Sequence, residues 1–154
     1  MAWHIAQATP GDGEEIAGLF NEYRIFYGKA DEPARARQFI EMRLQEASSV
    51  IFIATDNQGS GLGFAQLYPS FSSLKLAPIL ILNDLFVAQH ARCVGIGRAL
   101  LQAVIAYAGH HGVAGIMLET EQHNLRAQGL YEALGFARND KYFVYELDIA
   151  SELA

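Results

Sequence analysis

A short segment, residues 92–97, combines two glycines with an arginine and lies between a predicted apolar strand and a predicted apolar helix. Glycines let a backbone approach a ligand closely, and the N–H groups of a first helical turn can bind what lies beyond them. The helix dipole adds roughly +0.5 charge there, and Arg92 and Arg98 carry donors suited to phosphate oxygens. These residues predict a phosphate-binding turn. The alternative is a tight loop formed by Gly95 and Gly97, with both arginines in solvent.

Two common nucleotide-binding motifs do not fit this turn. A P-loop requires Gly-Lys-Ser/Thr, whereas Gly97 is followed by Arg98 and Ala99. A dinucleotide fingerprint requires a third small residue where Leu100 stands, and its glycines follow the strand almost directly. The residues therefore indicate an anion site of another kind.

A second polar pattern occupies residues 124–136. At about 3.6 residues per turn, Asn124, Ala127, Gln128 and Tyr131 share one helical face, and the small Ala127 leaves space between the polar groups. A polar ligand could lie along that face. A packed amphipathic helix with Tyr131 partly buried is the alternative.

The two patterns together are more specific than either alone. Arg92-x-x-Gly95-x-Gly97 is followed, about thirty residues later, by Asn124-x-x-Ala127-x-x-x-Tyr131-x-x-x-Gly135-Phe136. This pair resembles the signature of the GNAT superfamily of N-acetyltransferases, and the resemblance covers most of the chain. Residues 83–90, with the Tyr-Pro-Ser-Phe stretch before them, further resemble the polyamine and thialysine acetyltransferase branch.

The resemblance implies acetyl-CoA as the co-substrate. The strand before the turn would bind the pantetheine arm, the turn amides would bind the pyrophosphate, and Asn124 would contact the pantetheine end. Tyr131 matches the general acid that protonates the leaving thiolate, whose pKa near 8.5 requires only modest help. The implied cofactor-binding residues are Leu85, Phe86, Val87, Arg92, Cys93, Val94, Gly95, Ile96, Gly97, Arg98, Ala99, Asn124, Ala127 and Tyr131.

The implied reaction is direct attack of a neutral primary amine on the thioester. An amine with a pKa near 10 is mostly protonated at neutral pH, so a carboxylate must remove its proton, directly or through water. Asp84 and Glu119 are the candidates. Strand alternation places the side chains of Asp84 and Phe86 on one face of the strand and those of their sequence neighbours on the other face. The alternative for each carboxylate is a structural role. In the polyamine-like pattern an acidic residue precedes this aspartate, whereas Asn83 stands here. A non-catalytic acyl-CoA-binding regulatory module therefore stays open as a second function.

Aromatic residues near the predicted site could bind the ammonium group of an acceptor, because aromatic faces attract cations. The acceptor would be a primary amine of a small molecule or a peptide. Core packing is the alternative for aromatic residues at helical spacing. The candidates for acceptor binding are Tyr23, Phe26, Tyr27, Tyr68 and Phe71.

The elements that would position these residues are read from periodicity. A strand over residues 3–8 precedes two amphipathic helices, and a hairpin spans residues 49–68. A Ser-rich loop over residues 69–76 leads to the strand of residues 78–87, the helix of residues 97–109, a strand over 115–120, a helix over 124–134 and a strand over 142–149. This order predicts an α/β (α+β) fold of the GNAT type, as one domain over residues 1–154. A mixed, mostly antiparallel sheet of six to seven strands would carry helices on both faces.

Composition narrows the function classes further. The chain has 154 residues, 51% hydrophobic content and a formal net charge of −6. Its eleven Lys and Arg residues form no basic run, which disfavours nucleic-acid binding. A single cysteine, Cys93, favours neither a disulfide nor a metal site. Without a membrane-length apolar run or a leader pattern, we expect a cytoplasmic protein with no membrane contact. Residues 142–147 are a candidate homodimer interface.

Overall fold

A computed structural model describes residues 2–149 and forms five strands and four α-helices within them. The elements in chain order are β1 (Trp3–Gln7), α1 (Gly13–Phe26), α2 (Pro33–Glu46), β2 (Val50–Asp56), β3 (Gly61–Ser72), β4 (Ala77–Val87), α3 (Ile96–His110), β5 (Ile116–Met117) and α4 (Leu125–Ala133). By its internal contacts the chain divides into two compact units, Met1–Glu119 and Thr120–Ala154. The first unit carries all five strands and α1 to α3, and the second carries α4. The single-domain organisation stays a prediction.

The first helix directly follows a 3-10 turn, Pro10–Asp12. The Asp12 N–H donates to Thr9 O at 2.9 Å, which closes this turn immediately before α1, and the Thr9 N–H donates back to Asp12 Oδ2 at 2.8 Å. Ile16 and Phe20, one turn apart, are buried against the sheet. The helix ends at Phe26, and Gly28 follows with a φ of 84°, a conformation in which glycine carries no Cβ strain.

The sheet has the order β1-β2-β3-β4-β5, antiparallel up to β4 and parallel between β4 and β5. Because side chains alternate along a strand, Ile53, Phe64 and Phe86 share the face that is covered by α1 and α2. The opposite face is covered by α3, where Phe52 contacts Tyr107 with ring centroids 5.9 Å apart. The predicted mixed, mostly antiparallel sheet with helices on both faces is thus confirmed.

Residues 2–149 form five strands, so the predicted number of six to seven is not confirmed. The predicted strand over residues 115–120 is only two residues long, and no strand is assigned to residues 142–149, where Phe143 and Tyr145 are almost fully exposed. Alternation indicates which face a strand would bury, but a strand also requires a neighbour for its ladder of hydrogen bonds. Within residues 120–149 of the second unit the structure contains no other strand to supply that ladder.

The first half of the predicted loop over residues 69–76 is strand. β3 continues to Ser72, which pairs with Ala77, so the connection between β3 and β4 shortens to residues 73–76. Serine and proline suggested a loop, but the apolar start of β4 offers a pairing partner that overrides local preference. None of the helices within residues 2–149 is long and apolar enough to cross a membrane.

Candidate active site

The end of β4 has one edge turned away from β3. The Ala88 N–H donates to Leu62 O at 2.8 Å, so this pair is hydrogen-bonded across the two strands. Antiparallel pairs alternate between bonded and non-bonded types, and the backbone groups of Leu85 and Val87 therefore point to the other edge. The pairing of β4 with β5 stops at Ile81, six residues before β4 ends at Val87. The same alternation turns the backbone groups of Phe86 toward β3, and the assignment of Phe86 to cofactor binding stays a prediction.

The predicted phosphate turn leads directly from this edge into α3. Gly95 precedes the helix with a φ of 92°, and Cys93 has a φ of 68°. The N–H groups of Ile96, Gly97 and Arg98 belong to the first helical turn and have no acceptor within the helix. Ala99 differs from the prediction, since its N–H donates to Gly95 O at 3.0 Å and forms the first bond of the helix. Three consecutive amides are thus left to face an anion.

Arg92 holds the turn against the end of β4. Its Nε donates to Val87 O at 2.9 Å. The guanidinium also lies over two aromatic rings, 5.3 Å from the centroid of Phe26 and 5.7 Å from that of Phe86. Only the terminal amino groups of Arg92 remain to donate to a phosphate, and the neighbouring Val94 and Arg98 are exposed.

Asp84 lies on the face of β4 that α1 covers and is only 2% exposed. Gln66 Nε2 donates to Asp84 Oδ2 at 2.5 Å, and Asn83 Nδ2 donates to Asp84 Oδ1 at 2.9 Å. The fully buried Gln66 accepts in turn from the Ser49 hydroxyl at 2.8 Å. The Tyr23 hydroxyl donates to Asn83 O at 3.3 Å. Both oxygens of the Asp84 carboxylate and both polar atoms of the Gln66 side chain are therefore held by hydrogen bonds.

Asn83 takes part in this arrangement because the strand is irregular at that point. Gln66 pairs with Asp84 and Leu67 pairs with Leu82, which leaves Asn83 as the extra residue of a bulge. Bulges redirect side chains and are frequent beside active sites. The bulge turns both the amide and the carbonyl of Asn83 toward the Asp84 network.

Burial sets the proton affinities in this region. Burial raises the pKa of Asp84, while the hydrogen bonds from Gln66 and Asn83 oppose the rise. The pKa of Tyr23 is raised by burial and then by the negative charge of Asp84. The same two causes raise the pKa of Tyr68 to about 12. Both phenols consequently stay protonated near neutral pH, and the carboxyl group of Asp84 is the group that can accept a proton.

A cavity of about 300 Å³, which we term the Asp84 cavity, opens above this network. The predicted acceptor residues Tyr23, Tyr27 and Tyr68 come together in its wall with Asp84. Phe26 instead lines a neighbouring cavity of about 530 Å³ with Phe86 and Arg92, and the 80% exposed Phe71 lines neither cavity. The Asp84 cavity is lined by Phe20, Tyr23, Arg24, Tyr27, Lys29, Phe39, Tyr68, Asn83 and Asp84.

Glu119 has a different environment from Asp84. It follows β5 at the end of the first unit, is exposed, and lines neither of the two cavities. Asp84 is therefore the better placed of the two predicted carboxylates.

No group of three or more metal-ligating side chains is formed by the residues that the structure describes.

The second unit carries the other predicted cofactor residues on or beside α4. Asn124 caps this helix, because its side-chain oxygen accepts from the Ala127 N–H at 3.2 Å. The capping interaction leaves the Asn124 NH₂ group as its donor. Tyr131 lies in the last turns of the helix with its ring 5.8 Å from that of Phe136. Gln128 is bound to the backbone carbonyls of Glu121 and Gln122.

Several residues of the site were not found from sequence. Gln66 and Lys29 were missed, and Asn83 was noted only as a departure from a pattern. One signal for Gln66 existed, since it is the lone polar residue within the apolar run 62–67. Nothing in the sequence indicates that Lys29 and Phe39 meet Asp84, because their proximity depends on how α1 and α2 pack.

Comparison with known proteins defines the class of this site. The sequence model of the acetyltransferase (GNAT) family matches residues 16–136. An uncharacterized N-acetyltransferase of Bacillus subtilis, YhfO, is 44% identical over 97% of this chain and 99% of its own length. The D-amino-acid N-acetyltransferase HPA3 of Saccharomyces cerevisiae is 29% identical over 89% of this chain and 86% of its own. The crystal structure of a probable acetyltransferase superposes with a TM-score of 0.89, at 39% identity, over 96% of this chain and 98% of the other.

The chain belongs to the GNAT family of acetyltransferases, and it is an N-acetyltransferase. The family resemblance that was based on the two sequence patterns is confirmed. Acetyl-CoA is the acetyl donor of this family, and the open edge of β4 followed by the free amides of α3 has the chemistry that such a donor requires.

Proposed function

We propose that the chain transfers the acetyl group of acetyl-CoA to the primary amine of a small molecule or peptide by direct attack. The observation that carries this proposal is that β4 contributes to both the donor site and the acceptor site. One edge of the strand presents the backbone of Leu85 and Val87 and leads to the free amides of α3, while one face presents the buried Asp84 in a cavity. Donor and acceptor sites on two sides of one strand would bring a thioester and an amine together.

The pyrophosphate of the donor would bind at the start of α3. Three N–H groups and the positive end of the helix dipole favour an anion at Ile96, Gly97 and Arg98. The pantetheine amides would pair with the backbone of Leu85 and Val87 as an added strand pairs with an exposed sheet edge. Arg92 would act mainly by holding the turn to Val87 and only secondarily through its terminal amino groups.

Asp84 would receive the proton that the acceptor must lose. An ammonium group has no lone pair, so its nitrogen attacks only after deprotonation. Burial raises the pKa of Asp84 and makes its carboxylate a stronger base than an exposed aspartate. The new bond forms between the amine nitrogen and the thioester carbon, the carbon–sulfur bond breaks, and the sulfur takes its proton from Tyr131. The role of Tyr131 rests on its match to the family motif.

The named relatives support an amine acceptor but do not agree on one. One is named for D-amino acids, and a more distant one, at 24% identity, is an aminoglycoside N(6')-acetyltransferase of Stenotrophomonas maltophilia. Their acceptors share only a primary amine. That feature is the part we carry to this chain.

Acetyl-CoA binding tests the donor site. Titration with acetyl-CoA should raise the melting temperature of the wild type, and Gly97→Trp and Arg92→Glu should weaken that binding. Gly109→Ala is the matched control, since it lies near the other end of α3, where an added methyl group meets open space. Unchanged affinity in both turn variants would refute the assignment of the phosphate turn.

Release of free CoA thiol tests catalysis. A panel of amino acids, polyamines, aminoglycosides, lysine analogues and peptide N-termini should contain acceptors that release CoA in proportion to acetylated product. A protein that binds acetyl-CoA but releases no thiol with any acceptor would instead be the acyl-CoA-binding module.

A further inference from the structure

The Asp84 cavity carries charges of both signs at different depths. Asp84 lies at its floor and is 2% exposed, and among the described residues it is the only carboxylate in the lining. Two cations, Arg24 and Lys29, also line the cavity. Lys29 lies in the exposed connection between α1 and α2 and therefore marks the mouth. The cavity thus runs from a buried negative group to an exposed positive one.

The two cations differ in whether they already have a partner. Arg24 Nη1 donates to Glu32 Oε2 at 3.0 Å, and Arg35 Nη1 donates to Glu32 Oε1 at 2.6 Å. These contacts lower the pKa of Glu32, which stays ionised and keeps Arg24 neutralised. Within residues 2–149, no carboxylate lies at ion-pair distance from the Lys29 ammonium. The charge of Lys29 is therefore available to an anionic group entering the cavity.

The wall between floor and mouth is aromatic. Phe20 stacks on Phe39 with centroids 5.4 Å apart, and Tyr27 contacts Tyr23 at 5.1 Å. The phenol hydroxyls stay protonated and add no charge. A ligand that fits would present an ammonium group to the floor, apolar atoms to the wall and an anion to the mouth. A polyamine or an aminoglycoside would instead bring a second cation toward Lys29, and like charges at short range are repelled.

We propose that the acceptor of this site is a small zwitterionic amino acid, with its amine directed to Asp84 and its carboxylate to Lys29. This inference rests on the proposed acetyl transfer and names the substrate class of the same site. The four-carbon stem of Lys29 lets its ammonium follow carboxylates at different distances from the amine. Selection therefore acts on the presence of the carboxylate more than on the length of the acceptor.

Two matched pairs of acceptors isolate the carboxylate. Phenylalanine is compared with 2-phenylethylamine, and 4-aminobutanoate with 1,4-diaminobutane, by kcat/KM from free-thiol release. Because Lys29 is exposed, an ion pair to it should raise kcat/KM by no more than about fivefold. In the second pair the diamine replaces this attraction by repulsion, so the preference for the carboxylated acceptor should be larger. The proposal would be overturned if the wild type preferred 2-phenylethylamine to phenylalanine, or 1,4-diaminobutane to 4-aminobutanoate.

Lys29→Met removes the charge and keeps an unbranched side chain, with Lys75→Met in the turn between β3 and β4 as the control. The carboxylate preference should fall to near unity in Lys29→Met and stay at the wild-type value in Lys75→Met. A preference that survives Lys29→Met would also overturn the proposal.

Calorimetric titration of the same acceptors into the CoA-bound protein tests the acceptor class separately from acetyl transfer. If no acceptor releases thiol, the transfer proposal fails. The binding preference and its dependence on Lys29 still decide the acceptor class, because neither requires turnover.

Discussion

Replacing Gly63 by alanine should destabilise the protein and weaken donor binding together. Gly63 pairs with Val87 across β3 and β4, and a Cβ at this position would lie 2.8 Å from Phe86 O and 3.3 Å from the Val87 Cα. Both contacts are with backbone, so the strands themselves must separate. Overpacking of this kind costs about 1–3 kcal/mol.

The matched control is the same substitution in α1. Gly18 is exposed, and a Cβ there meets nothing within 4 Å. Alanine in place of glycine in a helix interior stabilises by about 0.5–1 kcal/mol. For a chain of this size each kcal/mol shifts the melting temperature by about 2–4 °C. Gly63→Ala should therefore melt about 2–12 °C below the wild type, and Gly18→Ala about 1–4 °C above it.

The affinity of both variants for acetyl-CoA tests the functional consequence. Strand separation at Gly63 would displace the backbone of Val87, which faces the proposed pantetheine path. We expect about a tenfold rise in the Kd of acetyl-CoA for Gly63→Ala and no change for Gly18→Ala, because a displacement of even about 1 Å in a binding group is costly. Equal melting temperatures for the two variants would refute the packing argument. A lowered melting temperature with unaltered acetyl-CoA affinity would refute the placement of the donor along β4.

Three further predictions concern single side chains. Asp84→Asn should lower kcat/KM by at least about a hundredfold if the carboxylate is the base, and a smaller loss would remove it from that role. Burial raises its pKa in the folded state, so the native protein holds this proton more tightly than the unfolded chain does. The wild type should lose free energy of unfolding relative to Asp84→Asn as the pH rises from about 3.8 through the raised pKa, measured by urea unfolding at several pH values. Tyr131→Phe should lower kcat by at least about tenfold and change the Kd of acetyl-CoA far less, whereas equal turnover would exclude Tyr131 as the acid. Phe64→Ala, at a fully buried ring, should cost about 3–5 kcal/mol in urea unfolding, while the exposed Phe71→Ala should stay within about 0.5 kcal/mol of the wild type.

The parts of the site that follow from backbone rules were predictable from sequence. Positive φ at Gly95 and the free amides of the first turn of α3 follow from glycine before an apolar helix. Strand alternation also placed Asp84 and Phe86 on one face. The prediction extended too far at Ala99, because the start of the helix, one residue earlier than expected, decides which N–H forms the first intrahelical bond.

The parts that depend on tertiary contacts were not predictable. The early end of the β4–β5 pairing and the bulge at Asn83 arise from how strands register against each other, and a local pattern carries no register. Aromatic type and helical spacing likewise predict a single pocket for five residues, whereas Phe26 lies beside Arg92 and Phe71 is exposed to solvent. Helical spacing indicates a face but does not specify what the face meets.

Asn83 acquires a different meaning once its contacts are known. An amide cannot act as a base, and its presence beside Asp84 kept a non-catalytic function open. In the structure its side chain donates to Asp84 Oδ1 and its carbonyl accepts from Tyr23. A second carboxylate at this position would repel Asp84 and could not donate to it, so the amide orients a single carboxylate, the proposed base, where a pair of acids would share one proton. A polyamine offers at least two ammonium groups. A site with one carboxylate and a lysine at its mouth is instead complementary in charge to an acceptor with one ammonium group and one anionic group.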